Sequence, residues 1–505
     1  MLDHPGWRQG DTAAIARNFD RLRFNVMHPQ TMYNGPPPNY VELELQIVPF
    51  LAASLYKIFG IHEIFGRLLS LAFSLATVVT IAYFARWLFA SATAGVAAAF
   101  LYAVFPGSVY YGRTFMPDCA MVFFLTAALY AAAAYLAQDR PLPWRGLLVT
   151  TALLTLAYLA KPVAVLALAP LLGLVLERRR AHRATRAAWV LVILVLPLAI
   201  LWLYDRAIGS NAEWHWASGI ARLHVLPALQ GAFGSPAGFA AKLGQFRIAL
   251  AMMHDTLLGS ISFGLSVLSF AALPWLAARS KALLWGWLAG GLIYIYVVVT
   301  VERVDYYMYP LLPLCALVIG GATARFVRGA RAADLAPAAR VALLAIVPAI
   351  AVVLLIESLA PVAAYYRYNK QAYRNAVYLD YALPKNSLVV IGHYGPDVQY
   401  YIDRFGWEED PALWTPFDEE SAIRKGARFF ISIEDNRLRR NLELCAWLAR
   451  FPVSSVPGTW PVYQTDPAKT SPAAARFWID FRNAERRGTG RAFLDQRGLC
   501  RVRGS

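Results

Sequence analysis

Three charged residues, Asp11, Asp118 and Lys161, have the side chains that a group-transfer site needs. A carboxylate can take the proton of an attacking hydroxyl, and an ammonium can stabilise a phosphate that leaves with negative charge. Asp118 and Lys161 adjoin long apolar runs, where charged residues are costly and therefore indicate a function. The combination predicts a site that deprotonates a hydroxyl beside a phosphate leaving group.

Each of these residues also has a purely structural interpretation. Asp11 precedes helix-forming residues and could serve as a helix N-cap. Asp118 follows Pro117, so it could begin a helix and be stabilised by the positive end of the helix dipole. Lys161 lies in a hairpin between two apolar runs and could extend to the membrane interface as an exposed side chain. The sequence alone leaves both interpretations open for each residue.

Metal binding has weaker support in the sequence. Suitable side chains occur at His4, His28, Glu42, Glu44 and His215. No close pair of histidines with a glutamate between them, as in the HExxH pattern, joins these residues. We therefore expect no cofactor and no metal site, and a divalent metal remains an alternative without support from the spacing.

The segments that must position these side chains are apolar runs of membrane-spanning length. The chain has 505 residues, of which 58% are hydrophobic, and between residues 65 and 361 the apolar runs approach the roughly 20 residues of a transmembrane helix. Residues 41–60 are expected to lie in the interface or to span the membrane only partly, and 208–250 to form a long outer loop. We expect about ten spanning helices, near residues 66–88, 92–106, 115–137, 146–160, 162–177, 187–204, 255–277, 282–301, 307–324 and 340–359.

Basic residues alternate with acidic and aromatic ones in the breaks between these runs. Lysine and arginine in short loops stay in the cytoplasm, so the acidic and aromatic breaks, including residues 1–40 and 302–307, should face the exterior. The basic loops also explain most of the net charge of +16, so we expect membrane lipids and no nucleic acid as partners. The basic breaks contain Arg86, Arg140, Arg145, Arg178, Arg183, Arg186, Arg279, Lys281, Arg325, Arg328, Arg331 and Arg340.

The composition changes after residue 361 and predicts a small soluble α/β domain. Buried strands are predicted at 388–392 and 427–433, and helices at 397–402 and 419–425. An even number of spans places this domain on the exterior side, with the N-terminal segment. Cys445 and Cys500 could form a disulfide there, but nothing in the sequence fixes their separation, so we expect free thiols.

These observations divide the chain into four expected parts. Residues 1–64 form an outer catalytic loop and juxtamembrane segment, and 65–361 a transmembrane helical domain. Residues 362–470 form the exterior α/β domain, and 471–505 a basic tail with little structure. The fold class is therefore a polytopic α-helical membrane protein with a small soluble C-terminal α/β domain.

Several segments resemble the GT-C glycosyltransferases of family 39, the group that includes protein O-mannosyltransferases and the lipid A aminoarabinose transferase. Asp11 matches the proposed base of the family's first outer loop, but Thr12 follows it where the family often has a second acid. The aminoarabinose enzyme's lysine after its glutamate has no match beside Glu42. The likeness covers roughly residues 1–325, and its segments are residues 7–18, 28–42, 112–118, 159–162 and 306–313.

The resemblance implies an inverting transfer of a hexose or pentose from a polyprenyl-phosphate carrier to a lipid, glycan or protein. The reaction would take place at the outer face of a bacterial inner membrane, in a GT-C-like fold. Asp11 would be the general base and Asp118 would orient the site. Substrate-binding residues would be Arg113, Lys161, Glu42, Tyr306 and Tyr307, with Arg113 and Lys161 on the carrier phosphate.

Two other functions remain open. A transporter or flippase of lipid-linked sugars would use similar charges without transferase chemistry, although the chain has no clear internal repeat of the kind that transporters often show. An inactive structural subunit is the third interpretation.

Overall fold

The computed structural model describes residues 1–136, 144–177, 183–454 and 459–502. The chain forms two compact units. The polar unit comprises Met1–Phe24, His28–Val41 and Arg367–Ser505, and the apolar unit comprises Asn25–Met27 and Glu42–Tyr366. These limits differ from the boundaries expected at residues 64 and 361, because the N-terminal segment packs with C-terminal residues. Arg140 and Arg178 of the expected cytoplasmic loops lie outside the described residues.

The polar unit begins with helix α1 (Gly6–Arg21), most of which is buried. Strong helix formers at its centre, Ala13, Ala14 and Ala16, favour this conformation. Asp11 therefore lies inside the helix and is not its N-cap.

The apolar unit consists mainly of helices. Its two-residue strands are β1 (Val41–Glu42, which starts in the polar unit) and β2 (Trp214–His215). Non-α turns occur at Pro162–Ala167, Ile220–Val225, Met253–Leu258, Leu273–Trp275, Ile295–Val299 and Asp305–Leu311. The α-helices are α2 (Ile47–Phe59), α3 (Glu63–Phe89), α4 (Ala92–Val104), α5 (Pro106–Tyr111), α6 (Asp118–Leu136), α7 (Trp144–Ala160), α8 (Leu168–Glu177), α9 (Arg183–Gly209), α10 (Ala217–Gly219), α11 (Leu226–Gly234), α12 (Pro236–Met252), α13 (Ser260–Ala272), α14 (Lys281–Tyr294), α15 (Thr300–Glu302), α16 (Leu312–Ala332) and α17 (Pro337–Tyr365).

Small residues bring these helices close together, as is common in membranes. A Cβ on Gly320 of α16 would lie 2.8 Å from the carbonyl oxygen of Ala94 in α4. One continuous apolar core runs through the unit, from Ile81 in α3 to Tyr365 in α17. This packing fixes the helix ends that carry the charged residues.

Within the described residues, six helices are long and apolar enough to cross a membrane, and a bent pair makes a seventh. The polytopic helical fold class is confirmed. The count of about ten differs because three expected spans (α4, α7 and the segment 162–177) are shorter apolar helices. The region 208–250, expected to be a loop, is largely helical in α10, α11 and α12.

The rest of the polar unit is the expected α/β domain. Its helices are α18 (Lys370–Ala382), α19 (Pro396–Ile402), α20 (Pro416–Arg424), α21 (Asp435–Arg440), α22 (Leu442–Leu448), α23 (Pro472–Arg486) and α24 (Gly490–Gln496). Its strands are β3 (Leu388–Ile391), β4 (Gly406–Glu408), β5 (Ala427–Ile431), β6 (Val453–Ser454) and β7 (Val462–Gln464), in the order β4-β3-β5-β7-β6. β4, β3 and β5 are parallel, whereas β7 is antiparallel to β5 and β6.

Two expectations for this domain were wrong. The basic tail forms α23 and α24, whose Phe481 and Leu494 are buried in the domain core. Cys445 and Cys500 form a disulfide, because the folding of this tail brings together two thiols that are 55 residues apart.

The N-terminal segment is bonded into the sheet edge of the same unit. The Gly35 N–H donates to the Gly406 carbonyl at 2.8 Å, and the Gly406 N–H donates to the Met32 carbonyl at 3.1 Å. Arg17 of α1 donates to the Tyr400 carbonyl at 3.0 Å. These contacts fix the helix that carries Asp11 onto the α/β domain.

Candidate active site

A buried ion pair joins two of the expected site residues in the apolar unit. Asp118 is the first residue of α6, and Lys161 follows the end of α7. The Lys161 Nζ donates to the Asp118 Oδ1 at 2.7 Å, and the two residues are 6% and 0% exposed. Lys161 is therefore not the exposed interfacial lysine of the structural interpretation.

Tyr306 and Tyr307 complete the surroundings of Lys161. The ring centroids of both tyrosines lie 4.6 Å from the Lys161 Nζ, within the range of a cation–π contact. Among the described residues, the second carboxylate oxygen of Asp118 has no hydrogen-bond partner. The structure thus brings together four residues that the sequence had marked separately.

Arg113 is connected to this cluster through aromatic rings. Its guanidinium lies 4.1 Å from the Tyr366 ring centroid and 5.0 Å from that of Tyr110. Tyr110 packs against Tyr111 at 5.3 Å, and Tyr111 lies 6.1 Å from Tyr306. Arg113 is partly exposed, so it can meet an anion while its ring contacts hold it in place.

Asp305 is a buried carboxylate directly before the tyrosine pair that the sequence did not single out. It is buried and accepts hydrogen bonds from the Tyr111 hydroxyl at 2.6 Å and from the Tyr365 hydroxyl. Its only signal in the sequence was its place directly before Tyr306 and Tyr307. The hydrogen bonds hold the ends of α5 and α17 beside the tyrosine pair.

Glu42 occupies a separate polar cluster in the apolar unit. It is 1% exposed, and Ser218 donates to it from its backbone N–H at 3.1 Å and its hydroxyl at 2.9 Å. His215 Nδ1 lies 3.6 Å from the carboxylate. Burial, and then the neighbouring Asp205, raise the pKa of Glu42 to about 7, so this carboxyl titrates near neutral pH.

Asp11 belongs to the polar unit, whereas Asp118 and Lys161 belong to the apolar unit. The Tyr33 hydroxyl donates to the Asp11 Oδ1 at 3.2 Å, and an Arg8 nitrogen lies 3.4 Å from Oδ2. The residue is 2% exposed, and burial raises the pKa of its carboxyl despite the nearby Arg8 charge. A raised pKa makes Asp11 a stronger base than an exposed aspartate.

The described parts of the chain hold no group of three His, Cys, Asp or Glu side chains arranged to bind a metal ion. His28, one of the candidate ligands, instead packs edge-on against Tyr40 at 5.2 Å. The candidate site residues offer carboxylates, an ammonium, a guanidinium and tyrosine hydroxyls.

Comparisons with known proteins bear on the family resemblance and on the fold. Residues 46–204 match the model of the family described as dolichyl-phosphate-mannose-protein mannosyltransferase. No curated protein sequence matches the chain at a significant level. The matched segment contains Asp118 and Lys161, so the family match covers the buried ion pair.

Solved structures of low sequence identity share the fold. The crystal structure of ArnT from Cupriavidus metallidurans bound to undecaprenyl phosphate is 14% identical, with a TM-score of 0.54 over 93% of this chain and 95% of that one. The Archaeoglobus fulgidus oligosaccharyltransferase tethered to an acceptor peptide is 14% identical, with a TM-score of 0.56 over 92% of this chain and 70% of that one. The chain has the GT-C membrane fold, and the resemblance to GT-C glycosyltransferases is confirmed.

Proposed function

We propose that the protein moves a sugar from a polyprenyl-phosphate carrier to an acceptor at the outer face of a bacterial inner membrane. The buried pair of Lys161 and Asp118 is the observation that carries this proposal. A buried ion pair contributes little to stability, so its presence beside apolar helices is better explained by a function. A compact ammonium is well suited to a phosphate anion.

In this proposal each site residue has a defined role. Lys161 and Arg113 hold the carrier phosphate, and Asp118 orients Lys161 between Tyr306 and Tyr307. Asp11 takes the proton of the acceptor hydroxyl as its oxygen attacks the anomeric carbon. The bond from that carbon to the phosphate oxygen breaks, and the electron pair leaves with the prenyl phosphate. A single displacement of this kind inverts the anomeric configuration.

Three observations support the carrier and the location. The ArnT structure of the same fold is bound to undecaprenyl phosphate, and the oligosaccharyltransferase structure is tethered to an acceptor peptide. The Cys445–Cys500 disulfide is typical of an oxidising compartment outside the cytoplasm. The alternation of basic and acidic breaks favours the same side for the site. The acceptor is a lipid, a glycan or a protein.

The decisive experiment separates an enzyme from a flippase. Purified protein in vesicles is given radiolabelled undecaprenyl-phosphate-linked hexose or pentose, with a detergent extract of the source membranes as acceptor. An enzyme releases free undecaprenyl phosphate as the sugar moves to the acceptor. A flippase relocates the intact labelled carrier and releases none, and that result would overturn the proposal.

A further inference from the structure

Glu408 at the end of β4 is a buried carboxyl with an unused oxygen. It is 6% exposed, and one side of the carboxyl accepts the Gly395 N–H. Its Oε2 has no hydrogen-bond partner among the described residues. A buried oxygen left in this state costs about 1–3 kcal/mol, so a group that arrives with a ligand would remove that cost.

Glu408 lies one strand away from the position where α/β sheets usually bind ligands. The parallel strands β3, β4 and β5 end at Ile391, Glu408 and Ile431. The chain leaves β3 toward β4 on one side and leaves β5 toward β7 and β6 on the other. The crevice at the carboxyl ends of β3 and β5 is therefore a topological switch point, the usual ligand position in such sheets.

Polar side chains line this crevice. His393 follows β3 and Glu434 follows β5, and the His393 Nδ1 lies 2.7 Å from the Glu434 Oε1. The His393 Nε2 lies 3.4 Å from Asp397 at the start of α19. Beyond this contact the Asp397 Oδ1 has no hydrogen-bond partner among the described residues, as is also the case for the Glu408 Oε2.

α1 lies directly over the same edge and carries Asp11 there. A Cβ on Gly10 would lie 2.6 Å from the Asp397 Cα, so the helix and α19 are in backbone contact. Burial raises the pKa of Glu408 to about 9, and the charges of Glu409, Asp11 and Asp397 add to the effect. Glu408 is consequently neutral at pH 7 and can donate a hydrogen bond as well as accept one.

Aromatic rings lie beside the carboxyls of Glu408 and Asp11. The Trp7 ring centroid lies 4.7 Å from that of Tyr394 and 6.3 Å from that of Tyr33. Tyr394 is 56% exposed, so part of this aromatic surface is open to solvent. Apolar ring faces with a few fixed polar groups are the usual composition of a small-molecule site, and they suit a sugar, which has both apolar faces and hydroxyl edges.

We propose that Glu408 binds the acceptor: its unpartnered carboxyl oxygen hydrogen-bonds one hydroxyl of a saccharide whose reacting hydroxyl faces Asp11. This inference rests on the proposed function and adds the chemical class of the acceptor. It also gives the C-terminal α/β domain a direct part in acceptor binding.

The test titrates a detergent extract of the source membranes as acceptor, at saturating donor. Glu408→Leu fills the same space without hydrogen bonding and should raise the half-saturating amount of extract about tenfold, the loss expected for one hydrogen bond. The half-saturating donor concentration and the rate at saturating extract should stay unchanged. Glu408→Gln should stay within about threefold of wild type, since an amide can replace a neutral carboxyl.

Glu419 provides the matched control. It is a fully buried glutamate in the same domain, with its pKa raised to about 8 by burial, and it accepts a hydrogen bond from the Trp414 ring nitrogen. Glu419→Gln should leave the acceptor titration unchanged. Melting temperatures of all variants check folding. If Glu408→Leu unfolds, Glu408→Met takes its place, since its flexible side chain also makes no strong hydrogen bond.

The chemical class is tested on the extract itself. Periodate cleaves vicinal diols, so periodate-treated extract should lose its acceptor activity, whereas protease-treated extract should keep it. Full activity after periodate would overturn the saccharide assignment. An unchanged titration in folded Glu408→Leu, with Asp11→Asn inactive, would overturn the role of Glu408 and leave the proposed function standing. Full activity in Asp11→Asn would instead refute the role of Asp11 in the proposed function.

Discussion

Lys161 and Asp118 depend on each other because both are withdrawn from water. Lys161 is 6% exposed and bonded to Asp118 at 2.7 Å. Removing one member of a buried pair leaves an uncompensated charge, which typically costs about 3–5 kcal/mol. Replacing Lys161 is therefore expected to lower stability, and this effect has to be measured separately from the effect on sugar transfer.

We predict that Lys161→Met lowers the melting temperature and abolishes transfer. The double variant Lys161→Met with Asp118→Asn should recover most of the melting temperature, because no charge is left buried, and should still fail to transfer. Melting in detergent and release of undecaprenyl phosphate are the two measurements. Recovery of transfer in the double variant would show that the pair serves the fold only.

Asp11 is predicted to act as a base and not as a helix cap. Asp11→Asn keeps the shape and a hydrogen bond with Tyr33 but cannot accept the proton, so the rate should fall by about 10²–10⁴-fold. Stability should not fall, since burial already disfavours the charged carboxyl. Asp20→Asn on the same helix is the control. A rate for Asp11→Asn within a few-fold of wild type would contradict the assignment.

Glu42 should make stability depend on pH. Its pKa in the folded protein is raised from 4.5 to about 7, so between these values the folded state holds a proton that the unfolded state has lost. The contribution of Glu42 to the free energy of unfolding is fully present below pH 4.5 and is lost as the pH rises through about 7. The melting temperature of wild type relative to Glu42→Gln should therefore fall between pH 5 and pH 8. If the melting temperatures of the two proteins change with pH in parallel, the raised pKa of Glu42 is refuted.

At the scale of elements, the packing of α1 on α19 decides where Asp11 lies. Gly10 faces the backbone of Asp397, where a Cβ would be 2.6 Å from Cα and 2.8 Å from N. Backbone atoms cannot move aside as a flexible side chain does, so the two helices have to separate if the residue grows.

Gly10→Ala is therefore predicted to cost about 1–3 kcal/mol of stability and to reduce transfer by displacing Asp11. Gly244→Ala is the control, since a Cβ there meets no atom within 4 Å and alanine favours a helix. Thermal melting and the transfer assay measure both effects. Wild-type values for Gly10→Ala would show that the contact between α1 and α19 is looser than the structure indicates.

At the scale of the whole molecule, the charge pattern predicts a topology. Arg325, Arg328 and Arg331 lie near the end of α16 and should be cytoplasmic, because basic residues beside spans remain inside. A fusion to green fluorescent protein after Ala333 should fluoresce, and a fusion to alkaline phosphatase at the C-terminus should be active. Failure of either reporter while the other is active would place both positions on one side of the membrane and overturn the orientation.

The sequence by itself determined the class of protein and singled out most of the charged residues of the candidate site. Apolar runs such as residues 66–88 predict a membrane helix because the bilayer sets their length, and α3 (Glu63–Phe89) follows that prediction. The strands at 388–391 and 427–431 were also visible, since short apolar runs rich in Val, Ile and Phe are typical of buried strands. Asp118 and Lys161 stood out because charge is rare beside such runs.

The tertiary structure decided which residues meet. Local patterns carry no information on contacts between residues far apart, so the sequence did not predict the ion pair between Asp118 and Lys161, which are 43 residues apart. For the same reason, the sequence did not predict the Cys445–Cys500 disulfide or the tail helices that permit it. No sequence pattern pointed to Glu408. The proposal for this residue rests on an oxygen without a hydrogen-bond partner and on the nearby Asp11, which is distant in the sequence. Burial and long-range packing set the chemistry of these groups, and both exist only once the chain has folded.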